Sequence, residues 1–466
     1  MNFYDDIDVF GDATAIISEN ADYFTYAELL ALAQQVQACI KNRCLVFSLC
    51  ENKVESVAGY IGFLRGRVVP ALINAGINRA FLERLLLTYK PSYIWLPSDK
   101  ANPTNWGKEV FRYGSYVLLK TDYVMDYDLH EDLALLLTTS GSTGSAKMVR
   151  QSYKNIESNA AAIAKYLDIK QTDRPITTLP MSYTYGLSII NSHFLCGCSI
   201  IMNKKTLMEK GFWAILKEEK ASTFGGVPYV YEMLKKLRFA RMDLPSLRVL
   251  TQAGGKMNSE LAKEFATICA NKEIRFFVMY GQTEATARMS YLPSEYAITK
   301  AGSMGIPIPG GQFWLETEDG NVIMDHEVVG ELVFKGDNVA MGYAESFLDL
   351  CKGDENDGVL KTGDYAKRDA DGFFYIVGRK KRFLKLFGNR VNLDEVEELI
   401  RGLGYGCACT GEDDHLRIFT TNKESLSQIK NFASTAMDIP QSGLAVVYIE
   451  RIPRSDAGKI LYSELK

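Results

Sequence analysis

Apolar positions along the chain fall into two alternating rhythms. Between residues 25 and 97, helical spacing and short continuous apolar runs take turns. Thr25, Tyr26, Ala27 and Glu28 read as a capping box, in which hydroxyl and carboxylate each accept the other's backbone N–H, and predict a helix through Cys39. Runs at 44–50, 68–73 and 93–96 have strand length, while 54–65 and 81–87 carry helical spacing. The run at 133–137 is the most apolar, and Ile156, Ala160, Ile163 and Leu167 repeat at helical spacing from about Ser152. Strands at 176–179, 199–202, 223–225, 247–251 and 275–279 continue the alternation. This pattern predicts an α/β fold, a large N-terminal domain with doubly wound parallel sheets. From Gly302 the rhythm changes to short strands and turns, so a small β-barrel-like subdomain is expected over 302–378. Gly378 followed by Arg379, Lys380, Lys381 and Arg382 reads as a solvated connector. Beyond it, helices at 392–403 and 426–437 and strands at 407–410, 416–420 and 444–450 predict a small, mobile α+β lid. The expected domains are 1–380 and 381–466.

Candidate chemistry collects where predicted strands end. The run at 133–137 gives way to Thr138, Thr139, Ser140, Gly141, Ser142, Thr143, Gly144, Ser145, Ala146 and Lys147. The two glycines let backbone N–H groups turn toward an anion, the hydroxyls add donors, and Lys147 adds a fixed positive charge. The expected order is strand, phosphate-cradling loop, helix. A flexible Ser/Gly linker shares this composition, although linkers rarely leave a buried strand directly. A Walker A loop does not fit, because Met148 follows the lysine and supplies no hydroxyl for Mg²⁺. Gly254-Gly255 and Tyr280-Gly281-Gln282-Thr283-Glu284 stand at two further strand ends, where open α/β sheets bind ligands. The second stretch combines an aromatic face, a close-approach glycine, a hydroxyl and a carboxylate. Alone it also fits a strand-end turn with an exposed glutamate. Lys459, in a glycine-containing loop near the last residue, alone reads as an exposed lysine.

In order along the chain, these stretches together with Gly330-Glu331-Leu332, Gly342-Tyr343 and Thr362-Gly363-Asp364 resemble the motifs of the AMP-forming adenylating enzymes. That family comprises acyl-CoA synthetases, peptide-synthetase adenylation domains and luciferases. The resemblance runs from about residue 133 to 462. Ala146 departs from the family's usual proline, and Tyr153 from a frequent histidine. The resemblance implies that Thr139, Ser140, Gly141, Ser142, Thr143 and Gly144 hold ATP phosphates, with Lys147 among the catalytic cations. It implies that Tyr280 stacks on adenine, Gly281 and Gln282 line the nucleotide, Thr283 meets the α-phosphate, and Glu284 binds Mg²⁺. Gly254 and Gly255 would border adenine and acyl group. Asp364, expected in a turn, would grip the ribose hydroxyls, and Arg379 would meet ribose or phosphate. Lys459 would bridge the substrate carboxylate and the α-phosphate. Lys381 takes the hinge position, and Gly388 would border a thiol channel in a second lid pose.

The acid should bind along residues 179–187, with Tyr183, Tyr185, Gly186 and Tyr229 as candidates; Tyr183, Tyr185, Tyr229 and Tyr231 fit equally as packing aromatics, and two of them are expected to touch substrate. No aspartate lies between Leu179 and Leu195 to pair an ammonium, and an unpaired buried ammonium is costly, so a non-amino acid is favoured. The chain ends at Lys466 without a carrier domain, which leaves coenzyme A or a separate carrier's phosphopantetheine as acceptor. Two alternatives remain open: a stand-alone amino-acid adenylating enzyme, and a catalytically reduced nucleotide-binding subunit. Net charge of −4 gives no reason to expect nucleic acid. The acidic start is no signal-peptide n-region, and no apolar run reaches membrane-spanning length. Nine scattered cysteines fit a reducing, cytoplasmic setting, and the close pairs Cys196/Cys198 and Cys407/Cys409 fit strand alternation better than zinc.

Overall fold

The computed structural model describes residues 2–101, 106–124, 127–138, 147–387, 389–437, 440–455 and 458–465. Two large sheets organise the N-terminal part. A nine-stranded sheet has a parallel centre made by Ile200–Ile201, Pro175–Ile176, Thr223–Gly226, Val249–Gln252 and Arg275–Tyr280. An eight-stranded sheet has a parallel centre made by Tyr93–Pro97, Leu45–Cys50, Val69–Asn74 and Leu133–Thr138. Helices Tyr26–Ala38 and Val54–Arg65 pack their apolar faces into one core with the second sheet. The capping box of Thr25 and Glu28 is formed. Burying these aliphatic stripes drives the assembly, each fully enclosed Val, Leu, Ile or Phe being worth about 1.5–3 kcal/mol. Among the described residues no helix is long and apolar enough to cross a membrane.

The order expected around the phosphate loop is corrected. Leu133–Thr138 is followed by a second strand, Met148–Ser152, antiparallel to it, with Thr138 opposite Met148. Only then comes helix Tyr153–Leu167, capped by Ser152 and Asn155. The segment after Thr138 thus connects two paired strands, and no helix N-terminus follows it directly. Met148–Ser152 escapes a hydrophobic pattern because Arg150 and Gln151 are polar, yet both are fully buried. Arg150 is satisfied from afar, donating to the carbonyls of Met341, Tyr343, Lys352 and Gly353 and pairing with Glu355.

Past Gly302 lies an antiparallel sheet of five strands, in the order Val322–Ile323, Gln312–Glu316, Gly330–Lys335, Val359–Arg368, Phe374–Arg379. Two neighbouring strands join the large sheets instead. Ile306–Pro307 extends the nine-stranded sheet, and Gly342–Ala344 pairs with Met148–Ser152. Asp364 is not held by a turn. It sits inside Val359–Arg368 opposite Arg379, where Gly363 takes a φ of +69° open mainly to glycine.

The basic connector is not solvated throughout. Gly378 and Arg379 end a strand, and Arg382 reaches into the C-terminal part. It pairs with Asp394 at 2.5 Å and Glu397 at 2.6 Å beneath the Tyr462 ring. Glu397 is buried, and a carboxylate enclosed without a cation would be strongly destabilising. From Leu384 onward a separate core forms between helices Leu393–Gly402 and Leu426–Met437 and strands Cys407–Glu412, His415–Thr420 and Leu444–Tyr448. The fold is thus α/β with a large N-terminal part and a smaller C-terminal part. Cys407 and Cys409 do alternate on one strand. Cys196 instead caps helix Thr184–Leu195, so that pair marks a helix end.

Candidate active site

Side chains from the carboxyl ends of the parallel strands meet three other parts of the chain. Tyr280 ends Arg275–Tyr280, and its hydroxyl donates to Asp364 Oδ2 at 2.5 Å. Gln282 ties this pair together, its amide reaching the Tyr280 hydroxyl at 3.0 Å, the Thr362 carbonyl at 3.0 Å and Asp364 Oδ2 at 2.9 Å. Arg379 stands 3.4 Å from the other Asp364 oxygen. Burial raises the Asp364 pKa, while Arg379, Tyr280 and Gln282 oppose that shift by stabilising the anion. The result is an oriented carboxylate on a rigid strand. Gly281 is required here, since an added Cβ would fall 1.8 Å from the Ala287 carbonyl.

A second group joins the eight-stranded sheet to the first. Thr283–Ala285 forms a single helical turn, and Glu284 Oε1 accepts the Tyr343 hydroxyl at 2.8 Å. Tyr343 lies on Gly342–Ala344, beside the strand that Lys147 leads into, and the Lys147 ammonium sits 3.3 Å from its ring centroid. Lys147, Tyr343 and Glu284 therefore form one contact chain. The sequence offers Tyr343 only as part of a motif; the pairing of its strand with Met148–Ser152 gives it its place. Thr139, Ser140, Gly141, Ser142, Thr143 and Gly144 lie outside the described residues, as does Gly388. Lys381 belongs to the single turn Lys380–Arg382.

The third group comes from the C-terminal part. Lys459 lies 5.0 Å from the Tyr183 ring centroid. Gly458 approaches the wall formed by Val227 and Tyr229 so closely that an added Cβ would stand 3.0 Å from Val227 Cγ2. Crowding of the ammonium by protein pulls the Lys459 pKa down to about 8; Arg379 pushes the same way, while Glu284 and Asp364 pull it back up. One small volume thus receives two cations and two carboxylates from four distant segments.

That shift has a pH consequence. The Lys459 charge is complete well below pH 8 and fades as pH rises through its lowered value, earlier than for an exposed lysine. If the reaction at this site uses that charge, kcat/KM falls by one proton's slope above about pH 8, because this parameter reports groups of the free enzyme. Lys459→Arg, permanently charged, should remove that limb. A profile flat to about pH 10 would contradict the assignment.

Along the wall, Tyr183 meets Tyr185 edge-on at 6.4 Å, and its hydroxyl lies where a Cβ on Gly254 would stand 2.7 Å away. Gly254 has a φ of +83° as well, so a side chain is doubly excluded. Gly255 borders Pro228. Tyr185 donates to the Thr251 carbonyl at 2.9 Å, and Tyr231 does so at 2.7 Å. Tyr231 is wholly buried packing. Gly186 lets helix Thr184–Leu195 start against the Pro180 carbonyl. Tyr229 is exposed beneath Arg454. One residue that sequence reasoning passed over is Arg288, a fully buried cation behind Tyr185 at 5.1 Å. The available signal was a lone arginine among small residues, four positions after Glu284.

A sequence model of the AMP-binding enzyme family matches residues 3–344. Among curated proteins, a 2-succinylbenzoate–CoA ligase of Bacillus subtilis is 26% identical over 465 residues, covering 95% of this chain and 92% of the relative. A long-chain-fatty-acid–CoA ligase of Mycobacterium tuberculosis is 28% identical over 350 residues, covering 72% of this chain and 67% of the relative. Among solved structures, the o-succinylbenzoate CoA synthetase of Bacillus subtilis in complex with its acyl-adenylate intermediate matches with a TM-score of 0.80 at 21% identity, covering 100% of this chain and 98% of that one. In complex with ATP and magnesium ion it matches with a TM-score of 0.77 at 21% identity, over 100% and 99%. At that identity the structural likeness carries the fold.

Proposed function

From the premise that the chain belongs to the AMP-binding enzyme family, we propose that it is an AMP-forming acid–thiol ligase. It adenylates a non-amino carboxylic acid with ATP and passes the acyl group to the thiol of coenzyme A. The observation that carries this reading is the convergence of Lys459, Arg379, Glu284 and Asp364 at the carboxyl ends of the parallel strands. The relatives named above, both acid–CoA ligases, support the same reaction class.

In the first half-reaction a carboxylate oxygen attacks the α-phosphorus, the bond to the bridging oxygen breaks, and pyrophosphate leaves with the electron pair. Two anions must approach, and charge gathers on the oxygens around phosphorus. Lys459 is placed to lie between them. Asp364, held by Tyr280, Gln282 and Arg379, fixes the ribose. Thr283 meets the α-phosphate, and Lys147 with the segment before it holds the outer phosphates. Glu284 suits magnesium: one oxygen takes the Tyr343 hydroxyl, and no cluster of three metal-ligating side chains exists among the described residues. A lone carboxylate fits an ion that keeps waters and phosphates as its other ligands. Bound there, magnesium would supply positive charge to the phosphate oxygens.

In the second half-reaction the thiol sulfur adds to the acyl carbon, the carbon–oxygen bond to AMP breaks, and the thiol proton leaves to solvent. The Lys459 loop covers the wall a thiol must pass. We place the pivot for its withdrawal at Lys380 and Lys381, dividing the chain into domains 1–380 and 381–466. Product analysis tests the reading. Acid-dependent AMP and pyrophosphate are expected, with thioester once coenzyme A is added; ADP would contradict it. A separate carrier's pantetheine arm presents the same thiol, and comparing both acceptors decides between them.

A further inference from the structure

Strand Met148–Ser152 carries two neighbouring polar side chains, Arg150 and Gln151, both fully buried. A strand sends successive side chains to opposite faces, and these two reach different partners. Arg150 donates to the carbonyls of Met341 at 3.0 Å and Tyr343 at 3.1 Å, and so holds the short strand Gly342–Ala344. The Gln151 amide donates to the Thr283 carbonyl at 3.1 Å and, more weakly, to the Thr286 carbonyl at 3.4 Å. These are the two ends of the turn that contains Glu284. Tyr343 and Glu284 then meet at 2.8 Å, so the contacts close a ring that starts and ends on adjacent residues of one strand. Lys147 leads into that strand.

The turn from Thr283 to Thr286 needs holding. Thr286 has a φ of +64°, a region that a β-branched residue enters only against steric strain. Its carbonyl also accepts the Thr184 hydroxyl, its own hydroxyl donates to the Asn338 carbonyl at 2.7 Å, and the Ala340 N–H donates to the Glu284 carbonyl at 2.9 Å. The Gln151 contacts come from the strand that Lys147 enters; the others come from helix Thr184–Leu195 and from residues 338–340. Packing does not explain the glutamine. Its Oε1 is buried with no hydrogen-bond partner among the described residues, a cost that a methionine of similar size would spare.

Resting on the ligase reading above, we propose that Gln151 is a positioning residue for adenylation, acting through the turn rather than on substrate. It fixes Thr283 and Glu284 against the strand that follows Lys147, and so sets magnesium and the α-phosphate in register with the outer phosphates. In-line displacement at phosphorus tolerates little error in that spacing, since a misplacement of about 1 Å can cost about 100-fold in rate.

The test uses full-length Gln151→Met, which keeps the length of the side chain and removes both donors. Adenylation kcat should fall by about 10- to 100-fold, the usual loss when a group that orients a metal ligand is removed, and half-saturation by magnesium should move to higher concentration. KM for the acid should stay within about twofold, and thioester formation from supplied acyl-AMP should keep the wild-type rate, because that step involves no pyrophosphate departure. A merely structural residue would lower both half-reactions together. Gln151→Asn, whose amide falls one methylene short of the carbonyls, should show the same split and carries the test if the methionine variant does not fold. Equal losses in both half-reactions, a wild-type magnesium curve, or failure of both variants to fold overturns the inference and leaves the ligase reading standing. ADP in place of AMP from the wild-type enzyme overturns both.

Discussion

Lys459→Ala should stop acyl-AMP formation, by roughly 1,000-fold or more, while leaving the conversion of supplied acyl-AMP to thioester largely intact. The argument is electrostatic. Adenylation brings a carboxylate against a phosphate, and Lys459 is the cation that the C-terminal part delivers to that point. Protein displaces water around this ammonium, which lowers its pKa, so an arriving anion gains more from it than from an exposed lysine. Thioester formation has no such need, because its nucleophile attacks a carbonyl already activated by AMP. On the proposed reading, the Gly458–Lys459 loop, packed on Val227 and Tyr229, would stand in the way of a thiol. The check is to assay both half-reactions separately, pyrophosphate release from acid and ATP, and thioester from synthetic acyl-AMP. Equal losses in both would remove the basis for a lid that alternates between two poses.

Glu284→Gln should lower adenylation by about 100-fold or more, with partial recovery at high magnesium. The substitution keeps the shape and an oxygen that can still accept the Tyr343 hydroxyl, so the local turn should persist. What disappears is the negative charge, which adds to burial, the larger cause, in raising the Tyr343 pKa. A hard divalent ion held there by this carboxylate would lose that charge. Magnesium titrations of both enzymes measure this directly, and identical curves would reduce Glu284 to a turn residue.

These assignments drew unequally on the sequence. Where burial follows an apolar period, residues alone specify structure: helices Val54–Arg65 and Leu426–Met437 fall where their spacing places them. Where burial is polar, the period is silent. Met148–Ser152 reads as surface because Arg150 and Gln151 carry its centre, and their partners lie some 130 to 200 residues away. Arg382 looked like part of a solvated run for the same reason, since the carboxylates that bury it sit on the following helix. The nucleotide-side residues Tyr280, Asp364 and Arg379 were legible through their motifs. Their mutual hydrogen bonds and the Gln282 tie depend on strand register, which no motif records. Arg288 offers only a weak signal, a lone arginine among small residues, which does not say that it is buried among neutral groups.

The central claim is that the acid's own oxygen attacks the α-phosphorus. A single turnover with acid labelled by oxygen-18 in its carboxylate tests it. The account predicts one label in the phosphate of AMP, because thiol attack on the acyl carbon leaves the bridging oxygen behind. Unlabelled AMP, or label recovered in inorganic phosphate beside ADP, would contradict it.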